Sequence, residues 1–223
     1  MALVQSVNLG AARPKRHEKG VTGIDKRPVT EPVEVRAPGP SGVGGSGLVG
    51  DEVCNLRHHG GYDQAVYAYA REDMDAWAAD LDRPLTSGSF GENVTTTGLD
   101  VTGARIGERW RIGDRLVLEV SVPRIPCRNF AGWLGERGWV KTFTERGAPG
   151  TYLRVVEPGT IRVGDEVTVV HRPDHDVTVG FVFRALTTGP ELLPAILVAD
   201  ALPEDAKDLA RRRTPIEVDE DLT

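Results

Sequence analysis

The sequence predicts a mainly β fold: a β-barrel of short strands with one inserted amphipathic helix and a short C-terminal three-helix appendix. Three observations point that way. Short β-branched runs are bounded by turn formers, one turn signature recurs between them, and helical spacing is confined to two segments.

The runs are "PVEVRAP", "RWRIG", "RLVLEVSV", "TYLRVV" and "EVTVV". Valine, isoleucine and threonine suit a pleated, half-buried surface, and the 26 glycines and 15 prolines punctuate the chain between such runs. The recurring turn lies in "RIGERWRI", "RIGDRLVLEV" and "RVGDEVTVV", where Gly-Glu or Gly-Asp follows a β-branched residue and precedes the next strand. A turn repeated this way joins successive strands, as in a barrel.

The inserted helix is "DQAVYAYAREDMDAWAADLD", residues 63–82. Asp63 serves as its N-cap, and Val66, Ala70, Met74, Trp77 and Leu81 fall at helical spacing on a face that belongs to the core. After "HRPDHD" the texture changes, and residues 177–213 read as three short helices. Gly189 and Pro190 break the first from the second, Pro203 opens the third, and Arg211, Arg212 and Arg213 suit the negative end of its dipole. The expected organisation is a β-barrel domain over 1–172, a helical segment over 173–215 and a frayed acidic tail over 216–223. The glycine-rich "RAPGPSGVGGSGLVGDE" reads as a flexible loop rather than a domain linker, because β-type sequence continues beyond it.

Composition narrows the function. With 223 residues, 39% hydrophobic and 27% charged, the chain can bury a real core. A net charge of −6 argues against nucleic acid as the main partner, since phosphate backbones need a basic face, yet leaves room for a local basic pocket. No stretch approaches the ~20 apolar residues of a membrane span. The first twenty residues hold no apolar run of signal-peptide length, and two cysteines make no disulfide framework, so the expected compartment is a reducing cytoplasm. Abundant Ala, Arg, Val, Gly and Asp suggest a high-GC bacterial gene. No phosphate-loop lysine motif, dinucleotide fingerprint or serine-hydrolase elbow is present.

Four places carry candidate chemistry. In "VPRIPCRNF", Cys127 follows the rigid Pro126 at a strand's end, between Arg124 and Arg128, which favour thiolate over thiol. A thiolate is a nucleophile and a soft metal ligand; a buried structural cysteine is the competing reading. In "RHHGGYDQAVYAYA", His58, His59, Gly60 and Gly61 precede the expected helix, where glycines let backbone amides approach an anion. Turn structure with a core histidine competes there, and metal ligation is disfavoured because adjacent side chains diverge in an extended chain. In "GSFGENVTTTGLD", Asn93, Thr95 and Thr96 offer polar groups for a ring or phosphate, against a plain solvated loop feeding a strand. In "TGIDKRPV", Lys26 and Arg27 follow a short strand, and a lysine there can meet a phosphate as a point charge.

Taken in order, "TGIDKRPV", "GDEVCNLRHHGGYDQAVYAYAREDMDAWAADL", "GSFGENVTTTGLDVTGARIGERWRIG", "LEVSVPRIPC" and "GTYLRVVEPGTIRVGDEV" resemble the MOSC domain, the C-terminal domain of molybdenum cofactor sulfurases, and within it the free-standing bacterial, YiiM-like branch. The resemblance runs from about residue 3 to 170, and 177–213 looks like that branch's helical appendix. It implies a MOSC-type β-barrel holding the molybdenum cofactor, a pterin with a dithiolene and a phosphate. Cys127 is then the protein ligand to molybdenum, and Lys26, His58, His59, Gly60, Gly61, Asn93, Thr95 and Arg124 lie around the pterin or its phosphate. Cys54 stands where the branch often has an acidic residue, and packing is the preferred reading for it. Pyridoxal phosphate, which the wider family uses in a separate N-terminal domain, is not expected.

The resemblance also implies a reaction. An N-hydroxylated small molecule, such as a hydroxylamino purine, is reduced at the molybdenum, with Cys127, Arg124 and His59 as catalytic residues and electrons from a separate reductase, since two cysteines cannot build a four-thiolate cluster. The alternative is a carrier that passes on sulfur or cofactor through Cys127 without turnover. A third reading is a cofactor-free barrel for another small anion. A homodimer is left open.

Overall fold

The computed structural model describes residues 1–16 and 19–219. In chain order its strands are β1 (Leu3–Gly10), β2 (Arg13–Pro14), β3 (Val21–Thr22), β4 (Lys26–Val29), β5 (Val33–Val35), β6 (Val66–Ala70), β7 (Val94–Thr97), β8 (Arg109–Ile112), β9 (Leu116–Pro123), β10 (Thr151–Glu157), β11 (Gly159–Ile161) and β12 (Val167–His171). The α-helices are α1 (Arg71–Asp80), α2 (Arg128–Leu134), α3 (Trp139–Arg146), α4 (Val179–Thr187) and α5 (Glu204–Arg212).

Eight strands form one sheet in the order β12, β8, β9, β10, β6, β7, β1, β4. Every neighbouring pair is antiparallel except β6 with β7. The ladder has two free ends, so among the described residues no closed barrel is formed. The sheet is curled, however: Leu3 makes an isolated antiparallel bridge to Glu166, and the Val4 amide donates to the Asp165 carbonyl at 2.9 Å. That brings the start of β1 beside the start of β12 at the far edge. The recurring turn does what its composition requires: Gly107, Gly113 and Gly164 all have positive φ, which a side chain would oppose.

The helix expected over 63–82 is a strand followed by a helix. Parallel β6 and β7 need a crossover, and α1 supplies it. All five residues of β6 are buried, so no polar alternation marks them as a strand, and Val66 and Ala70 mimic helical spacing. Short α2 and α3 were not anticipated; glycines end each, Gly135 and Gly147, both left-handed. The appendix is α4, capped by Thr178 Oγ1, which accepts from the Phe181 amide at 3.1 Å, then a 3₁₀ run over Pro190–Val198, then α5 with Pro203 at its N-cap.

Two apolar clusters hold the fold. One joins the sheet to the C-terminal helices, from Val4, Trp110 and Leu118 to Val182, Leu193 and Ile196. The other is aromatic: Tyr69, Phe90, Phe130, Trp139 and Phe143 pack edge to face beneath α1, α2 and α3, and Trp77 stacks on Phe143. It fixes α2, and with it the segment carrying Cys127. The acidic tail is described to Asp219; the rest of it, 220–223, lies outside the described residues. Its near part is anchored, the Ile216 amide donating to the Leu186 carbonyl at 2.8 Å. No helix among the described residues is long and apolar enough to cross a membrane.

Candidate functional site

β9 ends at Pro123, paired with Thr151, and the chain leaves the sheet through Arg124, Ile125 and Pro126. Cys127 then caps α2 in an extended conformation, its carbonyl accepting from the Phe130 and Ala131 amides at 3.0 and 3.1 Å. The thiol is half-buried, and both Cys127 and Cys54 are free. A proline-interrupted strand end followed at once by a helix pins the cysteine's backbone without using its sulfur.

Arg124 is the unusual member. Only 5% of it is exposed, yet no carboxylate pairs with it among the described residues. Nη1 donates to the Phe90 carbonyl at 2.6 Å, the guanidinium lies 4.2 Å from the Phe130 ring centroid and 5.1 Å from that of Tyr67, and Nε has no hydrogen-bond partner. Burial works against its charge, but Tyr67, Tyr152 and Cys127 surround it and raise its pKa overall. Tyr152 sits opposite Val122 on one side and Tyr67 on the other, the two phenol rings 5.1 Å apart. Burial pushes the Tyr152 hydroxyl up, Arg124 pulls it down and Cys127 pushes it up again. Arg124 is thus the common neighbour of Tyr67, Tyr152 and Cys127.

His59 lies within the field of Arg124. Burial first, then the positive charges of Arg124, His58 and Lys26, hold its imidazole down to about 4, with Gln64 acting in the opposite direction. His59 is consequently neutral at pH 7, and His58 is exposed. Gly60 and Gly61 have φ near +80° and lie against the 40–45 loop: a Cβ on Gly60 would come 2.7 Å from the carbonyl oxygens of Gly44 and Gly45, and one on Gly61 2.7 Å from Ser41 Cα. Their freedom is spent on packing this loop against its neighbour.

The remaining sequence candidates form a separate, closed network. Lys26 follows the short strand β3, as expected, and opens β4, where its Nζ lies 2.5 Å from Asp51 Oδ1. Asp51 also accepts from the Gly10 amide at 2.7 Å and from Asn93 Nδ2 at 2.9 Å. Asn93 Oδ1 accepts from the Tyr67 amide at 3.1 Å. Thr95, inside β7, donates to Glu92 Oε1 at 2.9 Å and accepts from Asn8 Nδ2 at 3.2 Å. Fully buried Glu92 further accepts from the Gly88 and Phe90 amides at 2.5 and 3.0 Å, and burial raises its pKa against those bonds. Asn93 and Thr95 are thus engaged inside the protein, and Asn93 reaches the first group through the backbone of Tyr67. Cys54 borders this network, within 3.8 Å of a Cβ built on Gly23; burial and then Glu52 raise its pKa, partly offset by Lys26.

Sequence reasoning missed Asp51, Tyr67, Tyr152 and Glu92. Asp51 and Glu92 look like ordinary loop acids in "GDEVC" and "GENV", and the tyrosines were absorbed into apolar runs. Among the described residues no three His, Cys, Asp or Glu side chains gather into a metal-binding group. A metal held here would have to bring most of its own ligands.

The MOSC domain model matches residues 55–168. The uncharacterized protein YflK of Bacillus subtilis is 34% identical over 183 residues, 81% of this chain and 79% of that protein. A protein named "Reductase" from Gibberella moniliformis is 32% identical over 138 residues, 60% of this chain but 24% of its own length. Among solved structures, YiiM from Geobacillus stearothermophilus superposes with a TM-score of 0.74 at 25% identity, covering 96% of this chain and 99% of that one.

Proposed function

This chain belongs to the MOSC domain family, and we propose that it binds the molybdenum cofactor, with Cys127 as protein ligand to molybdenum, and reduces N-hydroxylated compounds with electrons from a separate reductase. The observation that carries the proposal is Arg124: a buried cation with an orphan Nε, no acid partner and Cys127 within its field. A buried charge left without a partner costs several kcal/mol, on the order of the penalties for any desolvated ion, unless a ligand completes it. The cofactor's phosphate and dithiolene are anionic and fit that requirement.

When bound, the molybdenum supplies the two-electron chemistry that takes oxygen from an N–O bond. The chain's own groups do the rest. Cys127 offers a soft sulfur ligand from a backbone fixed by Pro126 and α2. Arg124 holds negative charge beside it. His59, neutral at pH 7, can hold or pass a proton at a ring nitrogen, the substrate's nitrogen and departing oxygen together needing two. His58, Gly60 and Gly61 carry His59 into place, while Lys26, Asn93 and Thr95 brace the floor of the pterin site through Asp51 and Glu92. The match to a quarter of a larger protein named "Reductase" supports a redox reading, and the free thiols suit a reducing cytoplasm.

The test is molybdenum and oxidised pterin per chain, on protein from a cofactor-producing host, wild type beside Cys127→Ser. Metal and pterin near one per chain, metal lost in the variant, and consumption of a hydroxylamino purine by the loaded protein with a chemical reductant are expected. Pterin absent from both proteins sinks the cofactor reading. Full loading without consumption overturns the reductase and leaves a carrier.

A further inference from the structure

The tail expected to fray is held as far as Asp219. α5 ends at Arg212, and the chain beyond it turns back onto the molecule. The Ile216 amide donates to the Leu186 carbonyl at 2.8 Å, and Val218 packs, half-buried, against the aromatic cluster. Asp219 then reaches α2, 91 residues away in sequence, where its Oδ2 accepts from the Arg128 amide at 2.9 Å.

This contact does a job that α2 leaves undone. Its N-cap residue is Cys127, whose side chain makes no capping hydrogen bond, and no acid stands in its first turn. Ser, Thr, Asp or Asn at that position would cap the helix from within. A cysteine leaves its sulfur uncommitted, and the tail supplies the carboxylate instead. Four covalent bonds separate the Arg128 nitrogen from Cys127 Sγ, so a carboxylate bound at that nitrogen stands within about 8 Å of the sulfur. Cys127 also packs, half-buried, against the same aromatic cluster as Val218. Charge favours the contact too: "EVDEDLT" carries four acids, and the cations beside Cys127 are the buried Arg124 and the exposed Arg128.

We propose that the segment from Thr214 to Asp219 is a strap that closes over Cys127 and must lift before the thiol meets a ligand or reagent. Val218 and Asp219 are its two holds, one apolar and one a charge-assisted hydrogen bond, and Ile216 anchors its near end. Few contacts hold it, the mark of a segment that opens locally. The shielding is independent of what Cys127 binds; that the strap governs admission of the molybdenum cofactor rests on the reading above.

Alkylation of cofactor-free protein by iodoacetamide, in a Cys54→Ser background, tests this. Rates are compared on the alkaline plateau of the pH–rate profile, so that a changed thiolate fraction does not count. Removing residues 217–223 keeps the Ile216 anchor and should raise the rate at least tenfold. Asp219→Asn, at an exposed position, should raise it several-fold in the full chain with no change in the unfolding midpoint. Molar potassium chloride should speed the full chain and leave the truncated one unchanged. A truncated chain alkylated within twofold of the full one overturns the strap. So does a faster rate matched by an equal fall in unfolding free energy, which would mean global opening. In a cofactor-producing host, pterin absent from both full and truncated chains would sink the reading above, while a tenfold rise in alkylation leaves the strap standing.

Discussion

Two cations whose charge reaches His59 are treated in opposite ways. Lys26 has an acid at 2.5 Å, and that acid is itself completed by Asn93 and the Gly10 amide. Arg124 has one carbonyl, two aromatic faces and an idle Nε. The first arrangement satisfies itself and acts as scaffold. The second leaves a buried donor unused. Donor type alone, which is what a sequence offers, does not tell the two apart; the completeness of the hydrogen bonding does.

The sharpest way to break this contrast is to remove one member from each side. Asp51→Ala strips Lys26 of its partner and leaves the Asn93 and Gly10 donors unpaired. A loss of about 3–5 kcal/mol is expected in denaturant unfolding, the usual cost of orphaning half of a buried pair. Arg124→Met should change the stability of the cofactor-free protein by less than about 1 kcal/mol, because a costly buried charge goes along with its modest contacts. It should nevertheless abolish retention of pterin. Equal destabilisation by both substitutions would mean that Arg124 is scaffold too.

A smaller effect tests the backbone that delivers His59. Ala at Gly60 meets two carbonyl oxygens at 2.7 Å and a φ of +84°. Strain and overpacking together should cost about 2–3 kcal/mol. Cofactor retention should fall with it, as the 55–61 turn shifts. Retention unchanged at reduced stability would separate this loop from the site.

Much of the scaffold was legible because it follows from local chemistry. The five β-branched runs became β5, β8, β9, β10 and β12, and the Gly-acid turns join or precede strands as their composition requires. Legibility failed where burial erased the pattern. β6, sealed on both faces between β10 and β7, shows no alternation and borrowed the spacing of the helix after it. At the candidate site, the proline-cysteine segment announced itself, as did the glycines beside His59. That Arg124 would be unpaired, while Lys26 and Asn93 would be paired, depended on Asp51 arriving from a distant turn, and no local signal encodes that; Thr95, by contrast, meets Glu92 from three residues away.

The gentlest probe uses pH. His59 titrates near 4 in the folded protein, held down by burial, by Arg124 and by nearby positive charge, against about 6.5 when unfolded. The unfolded chain therefore binds the proton more readily, so stability is full above pH 6.5 and falls as pH drops toward 4. At 1.36 kcal/mol per unit, about 2 kcal/mol is lost by pH 5. His59→Gln should remove that slope from the difference between pH 7 and pH 5 while leaving stability at pH 7 nearly unchanged. In the His59→Gln, Arg124→Met double variant the slope is gone as well, but in Arg124→Met alone it should shrink, because one of the charges opposing the imidazolium is missing. An undiminished slope in Arg124→Met would place His59 and Arg124 outside one another's field, and the open half of the comparison would lose its proton-holding member.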